Sequence, residues 1–251
     1  MVREVRKMSK GTIRQILLIT DGCSNQGEDP VAMAALAKEQ GIVVNVIGVV
    51  GNEESATRGI QEVEDIAMAG GGISQVVKAK QLSQTVQMVT RKAMTQTIKG
   101  VINQELRQIL GDKETIEDLP PEKRGEVMEV VDELGETVDL EVCILVDTSA
   151  SMASKLPTVQ EALLDLSVSL TSRIGGNQFC LYTFPGKRRP IEKVLTWTPK
   201  IQSIHSAFSK LGSGGVTPTG PAIREAIGSF LNLPRRRMIE HADTYIEESG
   251  F

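Results

Sequence analysis

Apolar runs alternate with helical patterns along most of the chain. Gln15 to Thr20 and Ile42 to Val50 are continuous apolar runs, which predict strands buried on both faces. Ile73 to Val77 reads as a third, shorter strand. Asp139 to Val146, Phe179 to Phe184 and Ile191 to Trp197 add three more, the last two joined by the turn-like Pro185-Gly186-Lys187-Arg188-Arg189. Between them lie helices. Val31 to Gln40 is capped by Asp29 ahead of Pro30 and ended by Gly41. Ile60 to Ala69 stops at Gly70-Gly71-Gly72, and a long helix opens near Lys80. Pro157 to Leu170 carries Val159, Ala162, Leu163, Leu166 and Leu170 at helical spacing. Helices are also predicted over Ile201 to Leu211, Pro221 to Leu231 and, amphipathically, Arg235 to Glu248; Met1 to Gly11 is polar. Strand–helix alternation of this kind predicts an α/β fold, a doubly wound, mostly parallel six-stranded sheet flanked by helices.

One stretch departs from the alternation. From Ile98 to Val138 no strand is evident: Val101, Leu106, Ile109 and Leu110 continue a helical pattern, Gly111 to Pro121 breaks it, and Glu122 to Leu134 resumes it. It reads as a helical connector.

The candidate chemistry sits where the fourth strand ends. Val142-Cys143-Ile144-Leu145-Val146 runs directly into Asp147-Thr148-Ser149-Ala150-Ser151, ahead of the Pro157 helix. In open α/β sheets ligands bind at that place, outside the carboxyl ends of the strands. A carboxylate with hydroxyls and no histidine or cysteine is a hard oxygen set, suited to Mg²⁺ or Mn²⁺. The same residues are also good helix N-caps, so a plain cap is the competing reading.

Asp147-x-Ser149-x-Ser151 after an apolar strand resembles the metal-ion-dependent adhesion site of von Willebrand factor type A (vWA) domains. Gly214-Gly215-Val216-Thr217-Pro218-Thr219-Gly220 resembles that family's threonine loop, and Ile16-Leu17-Leu18-Ile19-Thr20-Asp21-Gly22 its closing aspartate strand. The resemblance implies Asp147, Ser149, Ser151, Thr217 and Asp21 as metal ligands, with Gly22 and Thr219 supporting them. The order is altered: in the family the Asp-Gly strand comes last, and here it comes first. Three strands before the connector and three after it suffice for one such domain, not two. The expectation is therefore a circularly permuted vWA-like, Rossmann-like fold. Residues 1–97 form its C-terminal half, 98–138 the connector, 139–231 its N-terminal half and 232–251 a C-terminal helix. The two-half arrangement and Asp21-Gly22-Cys23-Ser24-Asn25 resemble the YabS-like vWA proteins of spore-forming Gram-positive bacteria, which implies an intracellular interaction protein.

By that resemblance the function is metal-dependent binding of a partner protein, whose Asp or Glu carboxylate completes the coordination of Mg²⁺ or Mn²⁺. Composition narrows the alternatives. A net charge of -4 argues against nucleic acid as the main partner, and 3% aromatics against a stacking-based binder. No apolar run is long enough for a membrane span or a secretory leader, and the scattered Cys23, Cys143 and Cys180 suggest a reducing cytoplasm. Gly212 to Gly215 lacks the Gly-Lys-Ser/Thr of a phosphate loop. The two histidines, His205 and His241, lie far from the motifs, so Ser149 has no evident general base and an enzyme is not expected. A metal-assisted hydrolase and a metal-independent scaffold using the connector are the alternatives. The connector is long enough for a monomer or for a dimer that exchanges halves.

Overall fold

A computed structural model of the chain describes residues 11–50, 57–110, 115–187, 189–199 and 214–231. The expectations for Met1 to Lys10, for the helices Ile201 to Leu211 and Arg235 to Glu248, and for His205 and His241 fall outside these residues. The elements run β1 (Thr12–Thr20), α1 (Pro30–Glu39), β2 (Ile42–Val50), α2 (Thr57–Ala69), β3 (Gly71–Lys78), α3 (Leu82–Leu110), α4 (Pro121–Thr137), β4 (Asp139–Asp147), α5 (Leu156–Thr171), β5 (Asn177–Phe184), β6 (Glu192–Thr198) and α6 (Thr219–Leu231).

All six strands join one sheet in the order β3-β2-β1-β4-β5-β6. The pairs β3/β2, β2/β1, β1/β4 and β4/β5 are parallel, and β6 runs antiparallel to β5. This is the doubly wound order 3-2-1-4-5-6, and its switch point lies between β1 and β4. The central strands are buried because helices cover both faces. On one face Leu17, Ile19, Ile144 and Val146 meet Val86 and Val89 of α3 and Leu163 and Leu166 of α5. On the other, Ile16, Leu18, Cys143 and Leu145 meet Ala34 of α1, Ile66 of α2 and Ala226 of α6. Period-2 alternation thus feeds two apolar cores from each strand, which is why these strands read as unbroken apolar runs.

The stretch 98–138 stays in contact with the core, with Ile116 and Val131 buried. α3 is a continuous helix across residues 97 and 98, and among its described side chains Ile98 is the last fully buried one; beyond it Ile102 is half-buried against the core and Val101 and Ile109 are exposed. α4 returns to the sheet and is fastened at its C-terminus by the buried Arg173. Its Nε donates to Gly135 O at 3.0 Å and its Nη2 to Val138 O at 2.7 Å. A cation on the last carbonyls of a helix satisfies acceptors the helix itself leaves open. No described helix is long and apolar enough to cross a membrane.

Candidate metal centre at the switch point

β1 and β4 pair in parallel register, Ile19 beside Val146, so Thr20 and Asp147 end side by side at the switch point. Asp147 is fully buried. Its Oδ2 accepts from Thr20 Oγ1 at 2.7 Å and its Oδ1 from Ser149 N at 2.8 Å. Both are neutral donors, and among the described residues no cation pairs with it. Burial pushes its carboxyl above the usual carboxylate range, the Ser149 and Thr20 hydrogen bonds pull the other way, and the nearby Asp21 charge adds repulsion. A carboxylate so placed is suited to an added cation.

Two hydroxyls flank it. Ser149 Oγ and Ser151 Oγ lie 3.2 Å apart; Ser149 is buried and Ser151 exposed. The backbone makes a single 3-10 turn, Ala150–Met152, so both hydroxyls stay ahead of α5. The N-cap position of α5 is Lys155, which makes no side-chain cap, so the Asp147 loop does not serve as its cap.

Asp21 follows Thr20 directly. Its Oδ2 accepts from Lys155 Nζ at 2.9 Å, and both side chains are largely covered, at 14% and 13% exposure. The chain then turns at Gly22, whose φ is +85° and whose Cα lies so near Gly59 that a Cβ would meet Gly59 Cα at 2.4 Å. Only glycine fits there without strain. Gly22 N also donates to Thr20 Oγ1 at 3.1 Å, so one threonine hydroxyl links Asp147 to the Asp21 turn.

Thr217 is buried, and its backbone is clamped between the two halves. Thr217 N donates to Asn25 Oδ1 at 2.8 Å, and Thr217 O accepts from Asn25 N at 3.1 Å and Ser24 Oγ at 3.2 Å. Ser24 N in turn donates to both Glu62 oxygens, at 2.8 and 3.1 Å. Gly214 N donates to Thr148 O at 3.0 Å, tying the glycine loop to the Asp147 loop. Thr219 is buried as the first residue of α6.

The Asp147–Ser149–Ser151 loop, the Asp21 turn and the Thr217 loop thus meet at one end of the sheet, from segments far apart in the chain. Two carboxylates and three hydroxyls make a donor set that fits Mg²⁺ or Mn²⁺. Among the described residues no group of three or more His, Cys, Asp or Glu side chains gathers as a metal site, so the candidate donors are two carboxylates with hydroxyls. Two residues that build the site, Lys155 and Glu62, lie outside the sequence motifs, and two more, Thr20 and Asn25, lie inside them without an assigned role. Thr20 orients Asp147, Lys155 neutralises Asp21, and Asn25 and Glu62 hold the loops. Thr20 left a signal as the polar residue closing an otherwise apolar run, and Asn25 as the end of the Asp21–Asn25 stretch.

No family model matches the chain. A Bacillus subtilis (strain 168) protein described as "Uncharacterized protein YabS" is 64% identical over 244 residues, 97% of this chain and 100% of that protein. The crystal structure of an uncharacterized protein from Alicyclobacillus acidocaldarius superposes with a TM-score of 0.81 at 44% identity, covering 88% of this chain and 94% of that one. Proximal thread matrix protein 1 of the mussel byssus, solved with a zinc-occupied MIDAS motif, shares 15% identity over 81% of this chain and 42% of its own. At a TM-score of 0.24 that likeness carries no argument.

Proposed function

The chain belongs to the family of the Bacillus subtilis YabS protein, and we propose that it is a divalent-metal-dependent protein-interaction module on a circularly permuted vWA-type fold. The observation that carries this reading is Asp147: a buried carboxylate at the switch point, held by neutral donors alone, with two serine hydroxyls beside it. Mg²⁺ or Mn²⁺ would be held by Asp147, Ser149, Ser151, Thr217 and Asp21. The ion supplies an electrophilic point for an anionic oxygen. Five donors leave one position of a near-octahedral ion open, and an Asp or Glu of a partner protein would fill it.

The sheet order is the same with and without the permutation. Counted from β1 the order is 3-2-1-4-5-6; counted from β4 through β6 and on through β1 to β3, it is again 3-2-1-4-5-6. Exchanging the halves therefore leaves the sheet order unchanged. What the exchange alters is the sequence position of the antiparallel edge strand, here the sixth, and of the Asp-Gly turn, here the first.

Calorimetric titration of Mg²⁺ and Mn²⁺ into the protein and its Asp147→Ala and Asp21→Ala variants tests the reading. One metal per chain, lost in both variants, is the expected result. Binding that needs Asp147 but not Asp21 would break the permuted site, and metal-independent binding of partners would return the connector as the interaction surface.

A further inference from the structure

The loop leaving β5 and the strand it feeds form a second feature on the same end of the sheet. Between β6, that loop and α6 lies a groove of about 770 Å³. Lys187, Arg189, Lys193 and Arg224 line it, against only two acids, Glu192 and Glu225. This local excess of cations stands out on a chain whose net charge is -4. The four cations are not equally engaged. Arg224 pairs with Glu28, and Lys193 lies over the Tyr182 ring, 5.7 Å from its centroid. Lys187 and Arg189 are exposed, and among the described residues neither forms an ion pair.

The loop is built onto the frame of the candidate metal centre. Phe184, where β5 ends, is the register partner of Asp147. Its carbonyl accepts from both Thr148 N, at 2.7 Å, and Thr148 Oγ1, at 3.1 Å. Gly215 packs so closely on Pro185 that a Cβ there would lie 3.2 Å from its ring. Gly186 N donates to Pro190 O at 3.2 Å, closing the turn that presents Lys187 and Arg189. A chain approaching the switch point from the β6 side thus passes Lys187 and Arg189, two exposed cations that form no ion pair among the described residues.

We propose that this groove binds an acidic peptide segment, the stretch of the partner next to the carboxylate that reaches the metal. The inference rests on the metal-dependent reading for its register, but the groove's own charge is independent of it. Peptide is favoured over nucleic acid because the two glutamates interrupt the basic lining and the one aromatic beside it, Tyr182, is buried rather than offered for base stacking.

The test is fluorescence anisotropy of a labelled hexaglutamate peptide titrated with the whole chain in Mg²⁺, with hexaglutamine as the uncharged control. Hexaglutamate is expected to bind, hexaglutamine not to, and K187E/R189E to weaken binding by about tenfold or more. Calorimetry of Mg²⁺ on K187E/R189E is expected to match the unaltered protein. That match also reports that the variant is folded. Equal hexaglutamate binding by K187E/R189E, no hexaglutamate binding at all, or tighter binding of a single-stranded oligodeoxynucleotide of equal charge would each overturn the groove. If D147A binds hexaglutamate as well as the unaltered protein while K187E/R189E does not, the groove stands and the metal-dependent reading fails.

Discussion

Thr20 Oγ1 donates to Asp147 Oδ2 at 2.7 Å, joining two strand ends that lie 127 residues apart in the chain. Both side chains are buried, so this bond is not exchanged for water. Thr20→Val keeps the shape and removes the donor. It leaves one Asp147 oxygen in an apolar setting, an expected cost of about 1–3 kcal/mol in urea unfolding without metal. The same change also releases Gly22 N, so the Asp21 turn loosens and Mg²⁺ affinity falls with stability. A Thr20→Ser variant restores the donor and is expected to recover most of both losses. Unchanged metal affinity in Thr20→Val would show that Asp147 needs no such orientation.

This pairing marks the limit of what residue patterns disclose. The strands were legible because helices cover both sheet faces, making the runs into Thr20 and Asp147 almost wholly apolar. The Asp147 loop and the Asp21 turn were legible as strand ends followed by turn formers. Which strand ends are neighbours is a matter of sheet order, and no local pattern carries that; only the resemblance joined them. Lys155 reads as an ordinary lysine ahead of a helix, and its role exists only once β1 lies beside β4. Gly71 and Gly72 read as a helix stop, yet they open β3. A Cβ on Gly72 would meet Val44 O at 2.1 Å, so glycine there admits close strand approach.

On the metal-dependent reading, Lys155 would compete with the ion for Asp21. In the structure the pair is mutually compensating, with an N···O separation of 2.9 Å and little exposure on either side. Lys155→Met strands the Asp21 carboxylate, and the expected loss is about 1–3 kcal/mol without metal. With Mg²⁺ present the sign reverses for binding: removing a cation beside the ion raises affinity, by about tenfold for a partly screened charge. Thermal unfolding with and without Mg²⁺, together with calorimetry, separates the two effects. Weaker metal binding in Lys155→Met would mean that the lysine positions Asp21 instead of competing for it.

Glu62 gives the site's frame a pH dependence. Burial raises its carboxyl above the ordinary 4.5, the Ser24 hydrogen bond lowers it, and the Asp29 charge raises it again. A raised value means that the folded chain holds the proton more tightly than the unfolded one. The contribution to stability is therefore fully present below about 4.5 and is lost as pH rises through the folded value. Glu62→Gln keeps an acceptor for Ser24 N and does not titrate. The stability of the unaltered protein relative to Glu62→Gln is expected to be greater at pH 4 than at pH 7, read by urea unfolding across that range. A difference independent of pH would show that the bidentate contact with Ser24, not burial, governs this carboxylate.

The permutation raises the question of whether the halves of one chain or of two build the centre. In the structure β1 pairs with β4 of the same chain over Thr12 to Ile19, opposite Asp139 to Val146. Thr217 is clamped to Asn25, and Arg224 to Glu28, so the second half meets the first at several separate points. Exchange between chains would recreate the same contacts, and its only gain would be relief of the connector. Exchange would have to open the packing of α3 on the sheet and of α4 around Arg173, and we propose the closed monomer. Mixing Asp147→Ala with Asp21→Ala is therefore expected to restore no metal binding, either directly or after joint unfolding and refolding. Only a mixed exchanged dimer would hold an intact site, one of its two, so metal bound to the refolded mixture, coincident with a dimer in sedimentation, would overturn the closed monomer.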